Sequence, residues 1–180
     1  MRGLKVEGII IKRKNYGESD RIVSMFTREF GKYTFVAKGV RKITSHRSAH
    51  IELLNHSKIT LYKSYAYPIL TEASVVDDFS VIKNDLTNVG FAYHICELVE
   101  GLCAEGQENE EIFMLLKGVL LDLPNTKNKA SLIHNFEITL LTLLGFWRGN
   151  QASSSTLDTK DFVENILERR LKSKRIFSYL

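Results

Sequence analysis

The chain has little of what would place it outside the cell or in a membrane. Among its 180 residues there are two cysteines, two prolines and one tryptophan. Cys96 and Cys103 sit in one helix-like segment and imply no disulfide framework. They are expected to pack in a core as free thiols, and a zinc site of the usual four-ligand kind cannot be built from two cysteines. No apolar run approaches the roughly 18–20 residues that span a bilayer. The opening MRGLKVEGIIIKRKN has a short apolar stretch, but Glu7 precedes it, Lys12-Arg13-Lys14 interrupts it and no small-residue cleavage site follows. A cytoplasmic location is expected. A phosphate loop of the GxxxxGK[ST] type is missing, since GKYTFVAKG spaces its glycines and lysine wrongly, and so is a serine or cysteine nucleophile motif. The expectation is a protein that is not an enzyme and has no cofactor and no metal.

What is present describes a folded chain with its charge sorted along the sequence. Hydrophobic residues make up 44% and charged residues 26%, ordinary values for a globular protein long enough to bury a real core. Residues 1–79 carry 14 Lys/Arg against 8 Asp/Glu; residues 80–167 reverse this, 6 against 12; residues 168–180 return to 5 against 1. A basic surface suited to phosphates at one end, with an acidic body beyond it, follows from that segregation.

The first 79 residues read as β structure. Val6–Lys14 is rich in isoleucine and ends at the turn-like Asn15-Tyr16-Gly17. Asp20–Phe30 predicts a second strand, Gly31-Lys32 a tight turn, and Tyr33–Ala37 a third strand of high β propensity. A basic loop, Lys38–Ser48, follows. Ser57–Tyr65 alternates apolar and polar residues, Pro68 interrupts, and Ile69–Val76 gives a fifth strand. Five short strands in this span suit an OB-fold barrel, with a five-stranded SH3-like barrel fitting nearly as well.

At Asp77-Asp78 the period changes to that of helices. From Val81 one stripe runs Phe91, Ile95, Leu98, Leu102 and another Val89, Tyr93, Cys96, Val99, Cys103, with Gly106 closing the segment. Asn109 caps a second helix that Pro124 stops, a third covers about Ser131–Leu144 up to Gly145, and residues 149–159 form a serine-rich loop. Asp158 caps a last helix burying Phe162, Val163, Ile166, Leu167 and Leu171, whose basic end Arg169–Arg175 suits the helix dipole. The fold class is therefore α+β: a barrel over 1–79, then a helical bundle over 80–180.

The residues from Glu7 to Lys32 (EGIIIKRKNYGESDRIVSMFTREFGK), the following VAKGVRK, FEITLLTLLGF from Phe136 and the terminal LERRLKSKR together resemble the RecO family of bacterial recombinational repair mediators. The Tyr16-Gly17-Glu18-x-Asp20 and Ala37-Lys38-Gly39 elements are the specific ones. That resemblance implies an OB-fold nucleic-acid-binding domain joined to a helical, partner-binding domain. It implies binding of single- and double-stranded DNA and annealing of complementary strands. It also implies partners: the acidic C-terminal tail of single-stranded-DNA-binding protein, and RecR, with which such proteins help load RecA. Many members insert a four-cysteine zinc module after the helix ending in this glycine. Here Gly145 is followed by Phe146-Trp147-Arg148-Gly149 and no cysteine, so the module is expected to be absent.

The residues expected to contact DNA are cations of the barrel: Lys12, Arg13 and Lys14 before the first turn, then Lys38, Arg41, Lys42 and Arg47 in the basic loop. Arg169, Arg170 and Lys172, with Lys174 and Arg175, extend that surface or meet an acidic peptide. Tyr16, Tyr33, Phe35, Tyr62 and Tyr65 are candidate base-stacking groups, although Tyr33 and Phe35 share a strand face and both could point inward. His46 and His50 read as surface or phosphate-contacting groups rather than metal ligands, and Glu18 and Asp20 as members of a polar turn. Two other classes stay open at this point: a nucleic-acid-binding module of another pathway, and an interaction protein whose basic surface meets acidic protein partners only.

Overall fold

A computed structural model describes residues 3–147 and 159–173. Its N-terminal part is a closed barrel of five strands: β1 (Leu4–Tyr16), β2 (Asp20–Thr27), β3 (Gly31–Ala37), β4 (His56–Tyr62) and β5 (Ile69–Asp77), in the order β1-β2-β3-β5-β4. β1 is long enough to pair twice. Leu4–Ile9 run against β4, and Gly8–Tyr16 run against β2. The parallel pair Val36↔Ile69 closes the ring between β3 and β5. This is the connectivity of an OB-fold, which settles the choice against an SH3-like barrel.

The inward positions follow the period of two. Val6, Ile10, Val23, Met25, Phe35, Ile59, Leu61 and Leu70 form the barrel core, joined by Val40 and Ile51 from the β3–β4 connection. A register shift between Ile10 and Lys12 breaks the alternation in β1. Beyond it Arg13 lies opposite the core residue Val23 and is half-buried, while Lys12 and Lys14 are exposed.

The chain divides into two compact units. The first holds Met1–Phe79 together with Ala104–Phe113, and the second holds Ser80–Cys103 and Met114–Leu180. The ten-residue return to the barrel is invisible to a linear reading of the sequence. It lies along β3: Glu105 forms a parallel bridge with Lys32, and the Gly106 N–H donates to the Lys32 carbonyl at 2.8 Å. Gly31 is required where this segment crosses. Its φ is +61°, and a Cβ there would stand 1.8 Å from the Gln107 carbonyl oxygen.

The described helices are α1 (Ser80–Lys83), α2 (Leu86–Leu102), α3 (Glu110–Asp122), α4 (Lys129–Leu143) and α5 (Thr159–Leu167). The segment expected to be one helix from Val81 is broken at Asp85, whose carboxylate leaves the helix path to accept the Asn88 N–H and start α2 afresh. Asn109 caps α3 as expected, accepting the Ile112 N–H at 3.0 Å, and Asn128 caps α4 through Ser131. In the second unit Ile95, Leu98, Leu116, Leu120, Leu123, Ile133, Phe136, Leu140 and Val163 are buried. Tyr93, placed on the apolar stripe of α2, is 44% exposed. The serine-rich stretch 149–158, its Asp158 cap, and Lys174 and Arg175 lie outside the described residues.

Candidate nucleic-acid interface

The basic loop after β3 is fastened to the turn between β1 and β2. The Asp20 Oδ1 accepts the Gly39 N–H at 2.7 Å, the Arg41 N–H donates to the Ser19 carbonyl at 2.9 Å, and the Arg41 guanidinium donates to the Gly17 carbonyl at 3.1 Å. Gly39 has φ +64°, a conformation that costs an ordinary L residue about 1–2 kcal/mol. Asp20 and Gly39 are thus the two halves of one contact. On its far side the loop is held by Arg47, which donates to the Leu70 carbonyl at 2.9 Å and to the Lys38 carbonyl at 3.2 Å. Val40 is pulled into the core between these fastenings. Since the Val36 N–H also donates to the Pro68 carbonyl at 2.8 Å, the β4–β5 connection joins the same end of the barrel.

This arrangement sorts the expected cations by job. Lys38, Arg41 and Lys42 are exposed on a loop whose backbone is fixed, as are Lys12 and Lys14 on the strand beside it. Arg47 spends its guanidinium on carbonyls. Arg13 forms an ion pair with Glu52 at 2.5 Å, and Arg21 approaches the same carboxylate at 3.6 Å. Glu18 is exposed in the turn, and His46 is exposed while His50 is half-buried.

The aromatic candidates divide too. Tyr16, Tyr62 and Tyr65 are 56%, 45% and 107% exposed. Tyr67, not among the sequence candidates, is 48% exposed and shares the β4–β5 connection with Tyr65. Phe35 is fully buried in the barrel, and Tyr33 packs against that core with its ring 5.9 Å from Phe30. Phe35 therefore cannot stack on a base, because its strand position faces inward opposite Val23.

The C-terminal cations occupy a different setting from the helix end assigned to them. α5 stops at Leu167, and Glu168 turns the chain with φ +52°. Arg169 then pairs with Glu97 at 2.7 Å, and the N–H groups of Lys172 and Ser173 donate to the same carboxylate at 2.9 Å each. Burial pushes the Glu97 carboxyl up, but Arg169, these two N–H groups and the Ser173 hydroxyl outweigh it and hold it down at about 2. Arg169 is a clamp, whereas Arg170 and the Lys172 side chain are exposed.

One buried polar cluster gave no signal in the sequence, since its hydrogen-bonded partners are 22 to 79 residues apart. His94 Nε2 lies 2.7 Å from Glu137 Oε1, His94 Nδ1 shares a hydrogen bond with Ser173 Oγ at 2.8 Å, and Thr159 Oγ1 donates to Glu137 Oε2. All four residues are at most 3% exposed. A serine, a histidine and a carboxylate in contact invite comparison with a nucleophile triad. Here the cluster is sealed in the second unit, and its hydrogen bonds pin α2, α4, α5 and the final turn together. Burial opposes ionisation of Glu137, yet hydrogen bonds from His94 and Thr159 still hold its carboxyl below the ordinary range.

Both cysteines are buried, and burial pushes the Cys96 thiol up to about 12, which makes it a packing residue. Among the described residues no group of three or more His, Cys, Asp or Glu is arranged to hold a metal ion, so the described side chains do not fit a zinc site. No described helix is long and apolar enough to cross a membrane.

An OB barrel with a fastened cationic loop, followed by a helical unit, defines an OB-fold protein of two units. Comparison with known proteins makes this specific. The family description "Recombination protein O N terminal" matches residues 1–79, and "Recombination protein O C terminal" matches residues 83–147. The chain belongs to the RecO family. Similar proteins include the DNA repair protein RecO of Listeria monocytogenes serotype 4b (strain CLIP80459), 34% identical over 143 residues, 79% of this chain and 56% of that protein. Those of Acetivibrio thermocellus and Roseiflexus sp. (strain RS-1) are 33% and 36% identical, over 81% of this chain and 59% and 51% of theirs. The chain spans little more than half the length of these relatives.

Proposed function

We propose that the chain is a DNA repair and recombination mediator that works by binding rather than by chemistry. In this reading the barrel unit binds single- and double-stranded DNA, and complementary strands anneal on it. The helical unit meets the acidic tail of single-stranded-DNA-binding protein and RecR, so that recombinase is loaded on coated DNA in the cytoplasm. Residues 1–79 are the nucleic-acid-binding domain and residues 80–180 the partner-binding domain, apart from Ala104–Phe113, which belong to the barrel's compact unit. The observation that carries the reading is the loop Lys38–Arg47, whose exposed cations sit on a backbone held by Asp20, Ser19 and Leu70. OB-folds bind strands across the β2–β3 face beside the β1–β2 and β4–β5 loops, with cations following the phosphates and aromatics stacking bases. This loop is tied to both: to the β1–β2 turn through Ser19 and Asp20, and to the start of β5 through Leu70. Lys12, Lys14, Lys38, Arg41 and Lys42 supply the cations and Tyr16, Tyr62 and Tyr65 the rings. Arg170 and Lys172 add charge on the helical unit.

The test is annealing of complementary oligonucleotides, bare and coated with cognate single-stranded-DNA-binding protein, by wild type and by the Lys38→Ala, Arg41→Ala, Lys42→Ala triple variant. Wild type anneals in both settings. The triple variant loses binding and shows a salt dependence shallower by about 0.7 per lost single-strand phosphate contact. DNA binding without annealing reduces the function to a general nucleic-acid module, and a triple variant equal to wild type removes the loop from the site.

A further inference from the structure

β3 has an edge that the barrel leaves open. One edge pairs with β2 along its length, but the other meets β5 only at Val36↔Ile69. The returning segment 104–113, part of the same compact unit, fills the gap. The Thr34 N–H donates to Glu105 Oε1 at 2.5 Å, and the Thr34 hydroxyl donates to Glu105 Oε2 at 3.1 Å. Arg28, just beyond β2, pairs with Glu110. The segment holds four glutamates, Glu105, Glu108, Glu110 and Glu111, and no lysine or arginine. Besides the backbone bridge of Glu105 and Gly106 to Lys32, its side-chain grip on the barrel is made by carboxylates on an N–H, a hydroxyl and a guanidinium.

Those three donors are the set that protein surfaces offer to phosphate oxygens. Thr34 also stands on the outer side of β3, its hydroxyl 3.2 Å from that of Ser24 on β2, on the face OB-folds use for strands. We propose that Thr34 and Arg28 are two phosphate-contacting groups for nucleic acid along this face, covered in the free protein by Glu105 and Glu110 respectively. The acidic segment stands in for the DNA backbone and must release β3 before a strand can follow the whole face. This rests on the DNA-binding reading above and adds to it a masked site and its competitor. Binding through a masked site is weakened by the fraction of time the mask is closed.

The experiment measures binding of a labelled single-stranded oligothymidylate at several salt concentrations by the full chain, by Glu105→Ala and by Glu108→Ala, with thermal unfolding as the check on folding. Glu105→Ala is expected to bind about three- to tenfold more tightly than wild type. Glu108→Ala removes the same charge from the same segment without touching Thr34 and stays near wild type. Adding Arg28→Ala to Glu105→Ala cancels the gain. If Glu105→Ala does not fold, Glu110→Gln, which frees Arg28, replaces it with the same expectation. Equal tightening by Glu105→Ala and Glu108→Ala overturns the site in favour of general surface charge. Binding by wild type that a folded Glu105 variant leaves unchanged overturns the mask and leaves the DNA-binding reading standing. Failure of wild type and variant alike to bind overturns both.

Discussion

Asp20 and Gly39, 19 residues apart, meet through a single hydrogen bond of 2.7 Å from the Gly39 N–H to the Asp20 carboxylate. That bond joins the β1–β2 turn to the basic loop and explains why an acidic residue stands in a region otherwise rich in cations. An Asp at this position adds negative charge next to the proposed phosphate path. What it returns is position, since Lys38, Arg41 and Lys42 then project from a backbone that no longer has to be ordered on binding.

Replacing Asp20 by alanine is therefore expected to weaken DNA binding although it removes a negative charge. The loss should be about three- to tenfold in Kd, with about 2 kcal/mol of stability lost as a charge-assisted hydrogen bond disappears. Asp20→Asn keeps an acceptor oxygen and should lose less of both. Fluorescence anisotropy and thermal unfolding check the pair. Tighter binding by Asp20→Ala would mean that the carboxylate acts only as a repelling charge.

The aromatic residues give a contrast between two single substitutions. Phe35→Ala empties a fully buried core position and should cost about 3–5 kcal/mol of stability. Tyr65→Ala alters an exposed ring and should leave the melting temperature unchanged while weakening single-strand binding by about 1–3 kcal/mol. Its effect on duplex binding should be smaller, because paired bases do not offer their faces. A Tyr65→Ala chain with wild-type single-strand affinity would take that ring out of the binding site.

What the sequence revealed depended on how far apart the partners lie. The alternation of Ile59 and Leu61 with Lys58 and Thr60, the turns at Gly17 and Gly39 and the caps at Asn109 and Gly145 are local, and each marks an element that the structure contains. The turn expected at Gly31-Lys32 falls instead at residues 28–30, with Gly31 opening β3. The break before α2 is local too, but Asp85 carries no signal beyond an Asp among apolar residues that recur at helical spacing on both sides. Long-range facts were not legible. Nothing near Thr34 announces Glu105, 71 residues on, and nothing near His94 announces Glu137 or Ser173. In the same way the cations of the loop were visible as charges. Which of them would be spent inside the protein, as Arg47 is on Leu70 and Arg13 on Glu52, depended on neighbours that only the fold brings up.

Acid should loosen the clamp that Glu97 forms in the helical unit. The Glu97 carboxyl sits at about 2 in the folded protein against an ordinary 4.5, so the unfolded chain takes up its proton first as pH falls. The stabilisation from Glu97 is fully present above about 4.5 and is lost progressively down to about 2. Glu137 is lowered as well and adds loss of the same sign. Thermal unfolding followed from pH 7 to pH 2.5 should thus show a falling melting temperature. Glu97→Gln should cost about 2 kcal/mol at pH 7 and flatten the acid limb, since the group that titrates is gone. It should leave the Lys38–Arg47 loop intact, so DNA binding at neutral pH stays near wild type. An acid limb as steep in Glu97→Gln as in wild type would show that the clamp on Arg169, Lys172 and Ser173 does not govern the acid stability of this unit.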